Sequence, residues 1–299
     1  MTNATDRPMA GILLRLLSGI LFTSMMVCVK VVSTEVPLGQ TVFFRSAFAL
    51  LPIVVFMAWR REFPKALATR RPGGHLLRSG LGAAAMFASF AAVARLPVAE
   101  ATLLAQLAPV AMAVAGVWLL GERFSLHRAA ALALVLGGVA ALVVPELGNG
   151  EQKGRLPGYA LGILAALLTA GALVTVRRIS RTETPASIAF YFVLVTTLAG
   201  LATLPLGWVE VSGKTLALLI LAGLFGGAAH ICMTLALRFA EVSRLAPFEY
   251  VALIWPVLAD LLIFGLPLSP GFLVALPLVL GGAALAAMEG RRVRWHLRR

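Results

Sequence analysis

The chain is 299 residues long, 60% hydrophobic and only 13% charged, with a formal net charge of +13 and a mean hydropathy of +0.92. A soluble domain carries roughly 25% charged residues, so the composition excludes one and makes lipid the solvent for most of the chain. The cation excess does not point to nucleic acid, because no basic region is interleaved with aromatics on a soluble platform.

A run of about 20 apolar residues crosses a hydrocarbon core as a helix, and in lipid only helices or closed barrels satisfy their own backbone. Ten such spans are predicted, beginning near Gly11, Leu38, Leu76, Val98, Leu126, Leu156, Pro185, Lys214, Ser243 and Pro270. The short alternating strands of a barrel are not visible. The first span follows a polar lead, Met1 to Pro8, and has no small-residue cleavage site, so it is expected to be retained and not to act as a secretory signal. Cys28 and Cys232 fall inside apolar spans and are expected to be inert thiols. Arg60 to Arg78 forms a basic loop, and Glu146 to Pro157 a polar, Gly-rich linker.

That linker divides two copies of one pattern. Leu134-Val135-Leu136-Gly137-Gly138 recurs as Leu278-Val279-Leu280-Gly281-Gly282, and the same offset of 144 pairs Gly121 with Gly265 and Ser125 with Ser269. An offset of 148 pairs Lys30, Thr34, Glu35 and Pro37 with Arg178, Thr182, Glu183 and Pro185. With five spans per copy, the second copy must sit upside down relative to the first. The expected fold is therefore an all-α polytopic membrane protein of ten transmembrane helices, arranged as inverted five-helix repeats over residues 1–148 and 149–299. Secondary transporters use this design, with a solute site between the halves.

Charge sets the expected orientation. With the N-terminus cytoplasmic, 20 Lys and Arg fall inside and 5 outside, Arg45 alone remaining within a span. This satisfies the positive-inside rule and puts both termini in the cytoplasm of a bacterial inner membrane. The basic inner loops and tail are expected to meet anionic lipid headgroups. Small residues at 80–85 and 224–229 mark spans three and eight for close packing.

Pro109 interrupts span four, and Pro247 and Pro256 interrupt its mate, span nine. Such breaks read equally as hinges lining a cavity or as ordinary membrane-helix prolines; Pro52 and Pro277 take the second reading. Gly213-Lys214-Thr215 misses the phosphate-loop spacing, and no metal, hydrolase or nucleophile signature appears. No catalytic residue, metal ligand or cofactor is expected.

Polar residues inside spans carry the functional signal, since an intramembrane charge is costly to keep. Arg45, Gln106, His230, Glu249, Tyr250 and Asp260 are such residues, and the 144 offset pairs Gln106 with Tyr250 and Met86 with His230. His230 reads either as a packing histidine or as a proton carrier and solute ligand. Glu249 either pairs with Arg244 or Arg238 or binds a solute ammonium or proton. Arg45 either neutralises a solute carboxylate or snorkels to headgroups. Asp260 is expected to be solvated at the outer interface. Met86, Phe87, Phe90, Met233 and Trp255 form a polarisable apolar lining suited to side chains of several shapes.

Phe43-Phe44-Arg45-Ser46, Leu120-Gly121-Glu122-Arg123 and Ala246-Pro247-Phe248-Glu249-Tyr250 leading to Trp255 resemble the ten-helix EamA-type exporters of the drug/metabolite transporter superfamily over about residues 10 to 290. The pattern is similar to their bacterial aromatic and neutral amino-acid exporters. Gly265-Leu266 departs from the acidic residue common at that position, so Glu122, expected to cap or neutralise a helix end, lacks a symmetric partner. The resemblance implies a central cavity lined by spans one, three, four, six, eight and nine, with five and ten peripheral. It also implies export of small metabolites, foremost amino acids, by a monomer through alternating access. Nucleosides, S-adenosyl compounds or drugs are the alternative solutes, and a membrane-embedded enzyme or sensor is the alternative class.

Overall fold

The structure is a computed structural model that describes residues 8–64, 67–120, 126–148, 155–180, 182–240, 245, 248 and 250–296. Among the described residues there is no strand. The helices are α1 (Pro8–Val32), α2 (Leu38–Trp59), α3 (Pro72–Val93), α4 (Val98–Ala105), α5 (Leu107–Leu120), α6 (Leu126–Gly148), α7 (Leu156–Ile179), α8 (Pro185–Leu201), α9 (Gly213–Phe239), α10 (Ile254–Leu262) and α11 (Pro270–His296). Seven described helices are long and apolar enough to cross a membrane, and Val98–Met112 and Pro270–Ala286 are shorter apolar helices. The molecule is a polytopic membrane protein of about ten helices.

Local chemistry sets many helix starts. Thr184 accepts a hydrogen bond from the Ser187 N–H at 3.1 Å and Ser212 from the Thr215 N–H at 3.2 Å, both as N-caps. Pro185 stands in the first turn of α8 and Pro72 in that of α3, where proline's missing N–H costs nothing. Because Pro72 starts α3 four residues before the expected Leu76, Arg78 belongs to the helix and not to the basic loop.

The two copies pack as an inverted pair. The α1–α9 contact is repeated by the contact of their mates, α7 and α3, while α2 meets α8 and α6 meets α11. The duplicated pentapeptides face each other reciprocally. A Cβ on Gly138 would lie 2.6 Å from Val279 Cγ2, and one on Gly282 would lie 2.6 Å from Val135 Cγ2. Each bare glycine thus admits the other copy's valine, as a twofold axis between α6 and α11 requires. The chain runs antiparallel there, so the start of α1 and the end of α11 lie together at one end of the bundle, here the terminal end. The connection from α6 to α7 defines the linker end.

The small-residue faces of spans three and eight admit close neighbours. Gly82 of α3 abuts Phe192 of α8, while Gly223 and Gly226 of α9 abut Phe48 and Arg45 of α2. Their tight contacts are made with α8 and α2 and not between α3 and α9. The offset of 148 also acquires a physical meaning. Glu35 accepts from Thr215 Oγ1 in the first turn of α9 at 2.8 Å, and its mate Glu183 accepts from the Arg70 N–H just ahead of α3 at 2.9 Å.

Candidate functional site

Both proline-broken spans break in the same way. Ahead of Pro109 the Gln106 N–H turns back to the Leu103 carbonyl at 3.1 Å, and ahead of Pro256 the Leu253 N–H turns back to the Tyr250 carbonyl at 3.1 Å. Both are three-residue returns, and prolines, donors and acceptors all stand 147 residues apart. A proline ring clashes with the carbonyl four residues earlier and offers it no N–H, so the tighter turn falls one step ahead of each ring. Gln106 is the C-cap of α4, and Tyr250 lies at the equivalent break.

The aromatic and sulfur side chains gather deeper in the bundle. Met25, Met86, Phe90 and Phe192 are buried in one cluster, with Phe22, Met26 and Phe87 packed against it. His230 of α9 reaches this cluster. Its ring stands edge-on to Phe22 of α1 at 5.1 Å and to Phe192 of α8 at 6.4 Å. Met86 Sδ lies 3.8 Å from Ser46 Oγ. Trp255 lies against Gly19 of α1, and its indole N–H is buried without an acceptor. Met233, one turn beyond His230, is half-buried. Phe87 also lines a recess of about 280 Å³ with Trp208 and Thr203. Met86, Phe90 and His230 are therefore brought together, while Gln106, Tyr250 and Trp255 mark the two breaks. Glu249, Glu122 and Pro247 lie outside the described residues.

Arg45 corrects one expectation. It is 1% exposed, so it does not snorkel to headgroups. Its Nε donates to Met25 Sδ at 3.2 Å, and its Nη1 has no hydrogen-bond partner. Arg78, assigned from sequence to a solvated loop, lies over the Phe192 ring at 4.0 Å, with Nε and Nη1 buried and unpartnered. An arginine six residues inside a helix that starts with proline was the available signal.

A second polar group ties the linker end together. Asp260, expected at a solvated interface, is 1% exposed. Its carboxylate accepts from the Val98 N–H at 3.0 Å and the Ala99 N–H at 2.7 Å, capping α4 from the other copy. Glu100, buried beside it, accepts from Tyr159 Oη at 2.7 Å and Ser269 Oγ at 2.9 Å. Lys30 Nζ donates to the carbonyls of Val93 at 3.1 Å and Leu96 at 2.5 Å. Sequence reasoning missed Glu100, although its place in the first turn of span four was readable. At the terminal end, burial works to raise the Glu183 carboxyl, but the contact with His75 and the Arg70 N–H outweigh it and hold it below the ordinary carboxylate range.

Among the described residues no group of three or more His, Cys, Asp or Glu could hold a metal ion. The site instead offers hydrogen-bond donors and two guanidinium groups within an apolar, polarisable surround, which suits holding a solute.

Comparison with known proteins agrees with this chemistry. The chain matches the EamA-like transporter family twice, over residues 9–144 and 156–288. It is 29% identical over 251 residues to a pseudopaline exporter of Pseudomonas aeruginosa, covering 82% of this chain and 84% of that protein. It is 30% identical over 263 residues to a riboflavin transporter of Rhizobium johnstonii, covering 87% and 85%. Against an aromatic amino acid exporter of Ancylobacter novellus it is 30% identical over 213 residues, covering 69% and 72%. With its matched halves and its inverted helical pairs, the chain belongs to the EamA-like transporter family, as a membrane transporter of small molecules and not an enzyme.

Proposed function

We propose that this transporter exports small amphipathic metabolites, foremost amino acids with neutral and aromatic ones included, across the bacterial inner membrane by alternating access of its inverted halves. The observation that carries the reading is His230, an imidazole of the second copy set edge-on against Phe22 of the first and Phe192 of its own. In this scheme Gln106, His230 and Tyr250 hydrogen-bond the solute. Met86, Phe87, Phe90, Met233 and Trp255 contact its side chain, Arg45 takes its carboxylate, and Glu249 takes its ammonium or a proton. The match to an aromatic amino acid exporter supports the solute class.

Purified protein in liposomes is expected to pass labelled amino acids, and His230→Ala and Tyr250→Ala to lower that flux at least about tenfold, the equivalent of about 1.4 kcal/mol. Wild-type flux through both variants would remove these residues from the site. The match to a riboflavin transporter supports a second reading, a larger heterocyclic solute such as a nucleoside or S-adenosyl compound. Competition of such compounds against amino-acid flux separates the two.

The charge bias supports cytoplasmic termini. In a chain carrying Cys28→Ala and Cys232→Ala, cysteines introduced as Arg70→Cys and Arg299→Cys are expected to react with an impermeant thiol reagent only from the cytoplasmic face. Labelling from opposite faces would overturn the topology.

A further inference from the structure

We propose that the solute this transporter selects carries at least two acidic groups, held between Arg45 and Arg78. The inference rests on the reading of the His230 region as the solute site and moves its substrate class from neutral amino acids to organic di-acids, acidic amino acids among them.

Among the described residues, two guanidinium groups are buried in the bundle with no carboxylate paired to them. Arg45 comes from α2 and lies against α9 where only a glycine leaves room, since a Cβ on Gly226 would sit 2.8 Å from Arg45 Nη2. Its Nε meets the sulfur of Met25, a weak acceptor. Arg78 comes from α3 and rests on the Phe192 ring. The Phe192 ring stands 6.4 Å from that of His230, and Gly226, against Arg45, lies one turn ahead of His230 on α9, so both arginines belong to one locus shared by α2, α3, α8 and α9.

Among the described residues Glu210 is exposed on the loop before α9, and six other acids are engaged elsewhere. Glu35 takes Thr215, Glu62 takes Arg60, Glu100 takes Tyr159 and Ser269, Glu146 takes Arg155, Glu183 takes the Arg70 N–H and Asp260 takes the α4 N-terminus. A sulfur contact and an aromatic face do not offset the loss of hydration of two guanidinium ions, which persist inside a membrane protein where they serve a solute path. A guanidinium presents a planar fork matched to a carboxylate, and two forks accept two. A neutral amino acid brings one carboxylate, so it leaves one of the two forks unfilled. A di-acid fills both, and its carbon skeleton meets Phe22, Met25, Met86 and Phe90.

The test uses the full chain in proteoliposomes, with labelled succinate and glutamate set against labelled leucine and phenylalanine. Succinate or glutamate is expected to pass at least tenfold faster than leucine, and Arg78→Gln or Arg45→Gln to lower that flux at least tenfold, with Arg78→Lys restoring part of it. Thermal melting in detergent shows whether each variant folds; where one does not, wild-type competition decides, succinate being expected to inhibit. Flux of leucine and phenylalanine that succinate does not inhibit would overturn the di-acid proposal and leave the amino-acid reading standing. No flux of any probe, and no thermal stabilisation by any of them, would overturn both.

Discussion

Asp260→Ala is expected to destabilise the folded protein by about 2 to 6 kcal/mol, because it leaves two buried N–H groups of α4 unpaired at about 1 to 3 kcal/mol each. The two bonds, to Val98 and Ala99, join α10 of one copy to α4 of the other. Water cannot replace the carboxylate, since the residue is almost fully enclosed. Lys30, whose charge faces Asp260, loses its opposite number as well. Asp260→Asn keeps one acceptor oxygen, so its loss is expected to be about half as large. Thermal unfolding in detergent measures both, and an Asp260→Ala melting point equal to the parent's would show that the cap carries no stability.

Gly138→Leu and Gly282→Leu are expected to cost similar amounts, about 1 to 3 kcal/mol each, by overpacking. Their two nearest contacts are of the same kind. Gly138 faces Val279 and the Ala275 carbonyl, and Gly282 faces Val135 and the Ala131 carbonyl. The valine in each notch is branched and stiff at χ1, and a backbone carbonyl lies beside it. Because α6 and α11 lie apart from His230, solute flux per folded molecule is expected to stay near the parent value. A loss several times larger in one variant than in the other would show that the two notches are not equivalent.

The helix starts at Leu38, Val98, Leu126, Leu156, Pro185 and Pro270 were legible because apolar runs and their Pro, Ser and Thr punctuation are local signals. The inverted pairing was legible because the copied pentapeptide survives. Arg78 was misread because span three was started at its first leucine, whereas Pro72 already opens the helix. The fates of Asp260 and Arg45 depend on which helix of the other copy faces them, and no local pattern records that. Pro109 and Pro256 announced the breaks, but only the hydrogen bonds show that each falls at the same step ahead of its ring. For the site, residue type and repeat offset led to His230 and Met86. The aromatic partners Phe22 and Phe192 come from helices whose approach to His230 is tertiary, so they were not found.

The matched turns at Gln106 and Leu253 have a thermodynamic corollary. If one copy bends where the other straightens, exchanging their roles returns the same arrangement facing the opposite compartment, so the two states of the transporter start nearly equal in free energy. What separates them must come from residues without a counterpart. Asp260 has Gly116 at offset 144 and Ala113 at 147, and Glu100 has Arg244 and Pro247. Under the alternating access proposed above, side chains that only one copy owns are the ones that set the resting direction.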